Sequence, residues 1–451
     1  MTSFPKTFWT RFQDFKNAPA LYTADDGQRH TISFWEWTRR IQNLAMALLD
    51  TGFEPGTRLG FVAPNGRDWL DMAWATWLVG GCLVPLNDEL DRSTVLHCLG
   101  RAGCDWIAVA DDAARSWLRG PGGQLPPHLQ WVLFDGDESG DDTHLLGKME
   151  KQGREFVRRG HTRKLAERIV SLDRSAPALI LFDGQPDEHA EGALFSGDKV
   201  QLQLQRIAQQ LGISNTEQEG EVAIASAMSF GQPSSFLLTM ATLFDGQSVA
   251  VPDTDIALHN QLDELQPTIL ICERDYLREL AREWKQRLES APDILKKLAD
   301  SDESNAPAIS RALGKLGEKA ARKFLYDPIR ADFGGRLEAL HLFEGRCPVG
   351  LYPILEGANI ALRGHFGMPE TGITHVEHPE ATREDSCGRP IEGIATKLLD
   401  TKTGDVGQLC IRGDTVFDDY WAGDGPMVVD DDGWLRTGRE ARIESGYLFL
   451  E

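Results

Sequence analysis

ALILFDGQPDEHAEGALFSGDK, residues 178–199, is the stretch from which the rest of the chain is read. The apolar run Ala178, Leu179, Ile180, Leu181 and Phe182 has the length of a buried strand, and Ala193, Leu194 and Phe195 read as its return. Between them lies a polar loop. In open α/β proteins a loop at the carboxyl end of a buried strand is the usual ligand position, and a phosphate ligand there calls for glycines, hydroxyls and a lysine. This loop instead carries four carboxylates, Asp183, Asp187, Glu188 and Glu191, with no lysine or arginine between Arg174 and Lys199. His189 is its one candidate cation. Two unit charges about 4 Å apart repel by roughly 1 kcal/mol in water and roughly 4 near a protein surface, and a triphosphate would meet several such repulsions together. The residues therefore argue against a phosphate cradle. They leave a solvated acidic loop, or a weak divalent-cation site without calcium-loop spacing.

Upstream of this stretch, Thr31 to Asp50 reads as an amphipathic helix capped by Ser33, with Phe34, Trp37, Ile41, Leu44 and Leu48 on one face. Leu59–Ala63 reads as a strand, and Asp68–Val79 as a helix whose Leu70, Trp74, Trp77 and Leu78 form a core stripe rather than cofactor contacts. A strand at Val84–Leu86, a helix at Ser93–Gly103 and a strand at Trp106–Ala110 continue the alternation. Strands alternating with helices imply a doubly wound parallel sheet. A basic stretch, Lys148 to Arg168, reads as a surface helix. Downstream, strands at Val222–Ala225, Ser248–Val251 and Thr268–Cys272 surround a helix at Pro233–Phe244. The expected architecture is α/β: a first doubly wound βαβ subdomain over 1–175, a second over 176–340 with a helical excursion at 276–326, and a small β subdomain in 341–451.

The chain has 451 residues, of which 41% are hydrophobic and 26% charged, as expected of a soluble globular enzyme with two to four subdomains. Its net charge of −22 argues against non-specific nucleic-acid binding and against an anionic membrane surface. Seven cysteines without CxxC spacing signal neither a disulfide framework nor a zinc site, and fit a reducing cytoplasm. No signal-peptide segment opens the chain, and the most apolar stretch, Met72–Leu86, is too short to span a bilayer.

Several motifs occur in one order. Asn65, Trp69 and Gly80–Asn87 are followed by Asp327–Leu337, then by Gly364, Phe366, Gly367, Met368, Glu370, Thr371 and Gly372. Gly388-Arg389-Pro390, Gly404–Gly413 and Asp432–Gly438 complete the series. From about Leu21 onward the chain resembles the adenylate-forming (AMP-binding) acyl-CoA synthetases, most closely their long-chain fatty acyl and acyl-carrier ligase branch.

The resemblance implies an ATP-phosphate loop at residues 183–192, an adenine segment at Glu344-Gly345-Arg346, and an aromatic-Gly-x-Thr-Glu signature at Phe366–Glu370. It also implies a ribose-holding aspartate at Arg439 and an acyl pocket near Phe230, Phe236, Leu237 and Met240. At most nucleotide positions the residue types depart from the family. Asp183 falls on a hydroxyl, Pro186 and Asp187 on paired threonines, Glu188 on a glycine and Glu191 on the lysine. Arg346 would crowd the base, and Pro369 lacks the hydroxyl of the threonine it replaces. Arg439 replaces the ribose aspartate unless Glu440 serves after a one-residue slip, and Phe230 falls near the family's histidine at the acyl-site mouth. Glu370 remains, and would hold metal only with Mg-ATP. The chain ends at Glu451, where the resemblance places the hinge to a small domain carrying the catalytic lysine.

The expectation is a pseudoenzyme with no catalytic residue and no cofactor, serving as a fatty-acyl-binding or scaffolding protein with a protein partner. The alternative is an Mg-ATP-dependent acyl ligase with an unusual nucleotide loop, its carboxyl-terminal domain removed or supplied in trans. For an acyl transferase no sequence cue ties Ser196 or Ser229 to a histidine.

Overall fold

A computed structural model describes residues 2–25, 28–121, 125–126, 128–136, 140–183, 191–213, 222–253, 257–290, 323–343, 347–348, 350–401, 405–421 and 429–451. Two large sheets with parallel centres and one small antiparallel sheet organise these residues. In the eight-stranded sheet, Arg58–Val62 lies between Cys82–Pro85 and Trp106–Val109, all parallel, and Gln130–Leu133 and Thr143–Leu145 extend one side. On the other side Pro177–Leu181 pairs parallel with Cys82–Pro85 and antiparallel with Ala193–Ser196, with Leu181 opposite Ala193. Strand and returning strand are thus paired as the apolar runs predict, while residues 184–190 between them lie outside the described residues.

Sheet membership cuts across the sequence divisions expected at 175 and 340. Pro177–Leu181 and Ala193–Ser196 belong to the eight-stranded sheet, although the sequence predicts a second unit from Ala176. Conversely, Pro19–Asp25 and Gln28–Ser33 form a hairpin in the nine-stranded sheet, where Leu21 pairs with Val249. Ala223–Ser226, Ile269–Cys272, Ala339–Phe343 and Ala361–Met368 continue this sheet in parallel, and antiparallel strands Gly372–Val376 and Arg389–Pro390 close its edge. The small sheet comprises Ile394–Leu399, Val406–Gly413, Leu435–Glu444 and Tyr447–Leu450.

The helix expected from Thr31 begins at Phe34, because Thr31, Ile32 and Ser33 are still paired in the hairpin. Ser33 caps it in a reciprocal box: Glu36 N–H donates to Ser33 Oγ at 3.2 Å, and Ser33 N–H to Glu36 Oε2 at 3.0 Å. The basic stretch forms two helices, Leu146–Arg158 and Arg163–Ser171, separated at Gly160, which sits at φ +78°. Of the helical excursion, Arg274–Ser290 and residues 323–331 are helical, while 291–322 lie outside the described residues. Among the described residues no helix is long and apolar enough to cross a membrane.

The main core lies between the two large sheets. Helix Phe4–Phe15 lays Phe4, Phe8 and Phe12 against Trp74, with ring centroids 6.4, 4.8 and 4.7 Å away, while Trp37 and Trp77 flank it at 6.3 and 5.0 Å. Trp69, Trp74 and Trp77 are fully buried, as a core stripe requires. Inside this apolar layer sits one carboxylate. Asp71, with no exposed side-chain surface, accepts from Trp37 Nε1 at 2.6 Å and lies 2.7 Å from Arg40 Nε and 3.4 Å from Arg67 Nε.

Candidate nucleotide and acyl site

The acidic loop leaves the eight-stranded sheet after Phe182. Asp183 is exposed at its start, while Pro186, Asp187, Glu188 and His189 lie outside the described residues. Glu191, at the lysine position of the resemblance, forms an ion pair with Arg101 Nη2. Arg101 is presented by helix Arg92–Ala102, whose first turn is fixed by Asp91 accepting from Ser93 N–H at 2.9 Å and Thr94 N–H at 3.1 Å. The loop's end is therefore tied to the neighbouring layer through a carboxylate. Lys199 is engaged elsewhere: its Nζ donates to Val416 O at 2.6 Å and Phe417 O at 3.0 Å, and lies 3.1 Å from Asp418 Oδ1. Asp418 Oδ2 in turn accepts from Ser196 N–H at 2.6 Å.

Glu370 lies across from this loop. Its Oε1 accepts from Tyr420 Oη at 2.9 Å, and its carbonyl accepts from Phe417 N–H at 2.8 Å, whereas Oε2 is buried without a hydrogen-bonding partner. Burial raises the Glu370 carboxyl above the ordinary range, and the negative charge of Asp183 pushes the same way, against the Tyr420 bond. Burial, Glu370 and Glu191 together raise the Tyr420 phenol. Asp183 thus bears on Glu370, and Glu370 and Glu191 both bear on Tyr420. Among the described residues no group of three or more His, Cys, Asp or Glu is placed to hold a metal ion.

Phe366 and Gly367 carry the aromatic-Gly part of the signature. Phe366 has no exposed surface and meets His375 edge-on at 6.0 Å. At Gly367 a Cβ would stand 2.4 Å from Gly372 O and 2.9 Å from Ile373 Cα, so the close approach of the two strands itself requires glycine. Gly367→Ala is accordingly expected to lower stability by about 1–3 kcal/mol, read by thermal unfolding, because backbone cannot move aside as a side chain can. Pro369 sits in the turn before Glu370. Gly345 and Arg346 lie outside the described residues, as does Glu344. Arg439 and Glu440 are exposed on strand Leu435–Glu444, where Arg439 N–H donates to Thr437 Oγ1 at 3.1 Å.

The acyl candidates come together as packed core. Phe230 and Phe236 lie 5.6 and 5.8 Å from Trp69, Phe236 lies 5.7 Å from Trp77, and Leu237 and Met240 are buried in the same cluster. Asn65 holds this segment against the first sheet, donating to Met228 O at 2.8 Å and accepting from Phe230 N–H at 2.5 Å. Ser229 Oγ donates to Asp88 Oδ1 at 2.5 Å.

Sequence reasoning did not single out Arg101, Tyr420 or Asp418, because their contacts span 90, 50 and 222 positions and leave no local signal. It also missed two imidazoles, His341 and His365, fully buried with Nδ1 and Nε2 respectively 2.8 Å apart. Burial lowers both, His365 to about 3.

A family model described as AMP-binding enzyme matches residues 8–182 and 199–421. The chain belongs to that family. The match breaks off at Phe182 and resumes at Lys199, either side of the acidic loop. Within the AMP-binding family, the mouse (Mus musculus) long-chain-fatty-acid–CoA ligase ACSBG2 is 20% identical over 99% of this chain and 69% of its own length. The ligase FadD15 of Mycobacterium bovis is 20% identical over 94% of this chain and 70% of its own length. At this identity the chain is similar to long-chain-fatty-acid–CoA ligases of the adenylate-forming superfamily. Among solved structures, VinN superposes with a TM-score of 0.70 at 15% identity, covering all of this chain and 98% of VinN. The anthranilate CoA ligase AuaEII, solved with anthranoyl-AMP, also gives 0.70 at 16% identity, covering 99% of this chain and 77% of that one. Both share the fold.

Proposed function

We propose that this acyl-CoA synthetase-like chain does not bind Mg-ATP and acts as an acyl-binding or scaffolding protein, with no adenylation chemistry of its own. The observation that carries this reading is the pairing at the loop. Glu191 occupies the family's lysine position and holds Arg101, while Asp183 adds its negative charge to Glu370. Phosphates entering between them would meet carboxylates, and each such contact at about 4 Å costs roughly 4 kcal/mol near a protein surface. The nearby cations Arg101 and Lys199 are already paired. Loss of one transition-state donor typically costs about 3–4 kcal/mol, and the phosphate-loop lysine, the hydroxyl beside Glu370 and the ribose aspartate are replaced together, although Glu370 itself remains. The residues therefore do not fit Mg-ATP.

A fatty acyl group is the ligand class carried over from the relatives, which are named long-chain-fatty-acid–CoA ligases. Seven buried cysteines, with no disulfide among the described residues, suit the reducing cytoplasm, where we place the protein. A working ligase completed in trans would face the same carboxylates.

Titration calorimetry with Mg-ATP at millimolar concentration is expected to give no binding heat, and acid-dependent pyrophosphate exchange is expected to stay at the no-protein level. Micromolar ATP affinity, or exchange above that control, would overturn the proposal. A parallel titration with palmitate separates the two roles. A rise in thermal stability supports acyl binding, whereas an unchanged value leaves scaffolding.

A further inference from the structure

His341 and His365 stand on the neighbouring parallel strands Ala339–Phe343 and Ala361–Met368, and neither has any exposed surface. One hydrogen bond of 2.8 Å joins His341 Nδ1 to His365 Nε2, while the outer nitrogens, His341 Nε2 and His365 Nδ1, are buried without partners. A neutral pair carries one proton in the shared bond and one on an outer nitrogen. A further proton puts an N–H on both outer nitrogens and a positive charge between them, with nothing there to accept either. Water accepts both. The extra proton is therefore taken up far more readily where the pair meets solvent.

The surroundings act in the same direction. Ala339 and Phe343 belong to the core cluster in front of the sheet, Leu340 and Leu342 to the one behind it, and the Phe343 ring lies 6.2 Å from His365. Arg363, between the two imidazoles' strands in register with His341, bears on both with its positive charge, and its own charge is set against Glu338 and Glu377. On the inner strand Cys272 Sγ donates to His341 O at 3.8 Å. On the outer strand His375 is fully buried with Nδ1 3.0 Å from Thr374 Oγ1. Helix Pro233–Phe244, which packs over these strands, carries no ionisable side chain. The charges of helix Gly197–Gln210, packed on the outer strand, are paired elsewhere: Asp198 with Arg174, Lys199 with Asp418 and Arg206 with Asp414. Behind the sheet, helix Tyr352–Gly357 brings an exposed Glu356 and Tyr352, whose Oη accepts from Asp385 N–H. No carboxylate is thus hydrogen-bonded to either imidazole among the described residues.

We propose that the His341–His365 pair is an acid-sensitive latch, whose protonation at mildly acidic pH releases the edge of the nine-stranded sheet, residues 361–376, and with it the turn that carries Glu370. The edge is the cheapest way to water: beyond Ala361–Met368 lie only Gly372–Val376 and the two-residue strand Arg389–Pro390. Burial holds both imidazoles below the ordinary range. Such a group contributes its full stability above its unfolded value of about 6.5 and loses it as pH falls toward the folded one. The raised carboxyls of Asp71, Glu370 and Glu377 respond to acid in the opposite sense, so global unfolding would mix the two effects and a local measurement is required.

Amide hydrogen exchange of the full chain, read by mass spectrometry at pH ~7.4 and pH ~5.5 with times scaled for the intrinsic rate, provides it. Opening should become about tenfold more frequent at the lower pH for each imidazole it brings to water, the ratio set by an unperturbed value of about 6.5. The loss of protection is expected in residues 361–376, while residues 58–62 and 106–109 at the centre of the eight-stranded sheet keep theirs. His365→Phe, and independently His341→Gln, which keeps a hydrogen-bonding side chain, should each reduce the pH dependence about tenfold. Equal protection of residues 361–376 at the two pH values would overturn the proposal. So would an equal loss in the eight-stranded sheet, which marks global acid unfolding, or full pH dependence retained in either variant.

Discussion

Arg40→Met is expected to destabilise the protein by about 1–3 kcal/mol between pH ~7 and pH ~8, because it takes the main counter-charge from the buried Asp71 carboxyl, which must then protonate or stay unpaired. The Asp71 side chain has no exposed surface, and Arg40 Nε lies 2.7 Å from it without an aligned hydrogen bond. Arg67, 3.4 Å away and partly exposed, is a weaker substitute. The pH dependence distinguishes this loss from simple packing damage. In the intact protein, burial pushes the Asp71 carboxyl up to about 6 despite Arg40 and Arg67. For a carboxyl raised above its unfolded value of about 4, the associated stability is fully present below that value and is lost as pH rises through the folded one. Two units correspond to about 3 kcal/mol. Without Arg40 the folded value rises further, so the variant's deficit should be small near pH ~5 and widen toward pH ~8. Urea unfolding at both pH values measures this, and an equal deficit at both would contradict it. Replacing the pair together, Arg40→Met with Asp71→Leu, should recover most of the loss.

Trp74→Ala should cost more, about 3–5 kcal/mol, by opening a cavity at the centre of the aromatic cluster. Phe8 and Phe12 approach Trp74 most closely, so helix Phe4–Phe15 loses its principal docking surface. Limited proteolysis should then cut within the first 18 residues before the sheets are attacked. Trp74→Phe is the informative contrast. Trp74 Nε1 is buried without a partner, so phenylalanine removes an unsatisfied donor while keeping most of the apolar volume, and its cost should stay below about 1.5 kcal/mol. Similar losses for alanine and phenylalanine would show that the indole N–H is satisfied in solution.

What could be read from the sequence was local. Ser33 announced a capped helix, the tryptophan spacing of Asp68–Val79 announced a packed face on another, and Ala178–Phe182 announced a buried strand. The hairpin at Pro19–Ser33 escaped notice because its stability comes from pairing with Ser248–Val251, not from its own short, half-polar pattern. For the same reason the divisions expected at 175 and 340 do not follow the sheets. At the candidate site the reversal of charge was plain in Asp183 and Glu191. Their surroundings were not, since Arg101 pairs with Glu191 and Tyr420 binds Glu370 through tertiary contacts. Nor does periodicity distinguish an apolar pocket from a filled one, and Phe230 and Phe236 against Trp69 needed coordinates.

The placement of the amino-terminal hairpin also bears on how the chain is made. Leu21 pairs with Val249, so 249 − 21 = 228 residues separate a strand from its parallel neighbour. At about 5–20 residues per second, ribosomal synthesis leaves that strand waiting roughly 11–46 s before its partner has been polymerised. The eight-stranded sheet has most of its strands between Arg58 and Ser196, and its centre can assemble during this interval. Until then the hairpin exposes an unpaired strand edge, which is a template for another nascent chain. Production of this protein should therefore respond more to slower initiation and lower temperature, which keep nascent chains apart, than its equilibrium stability alone would suggest.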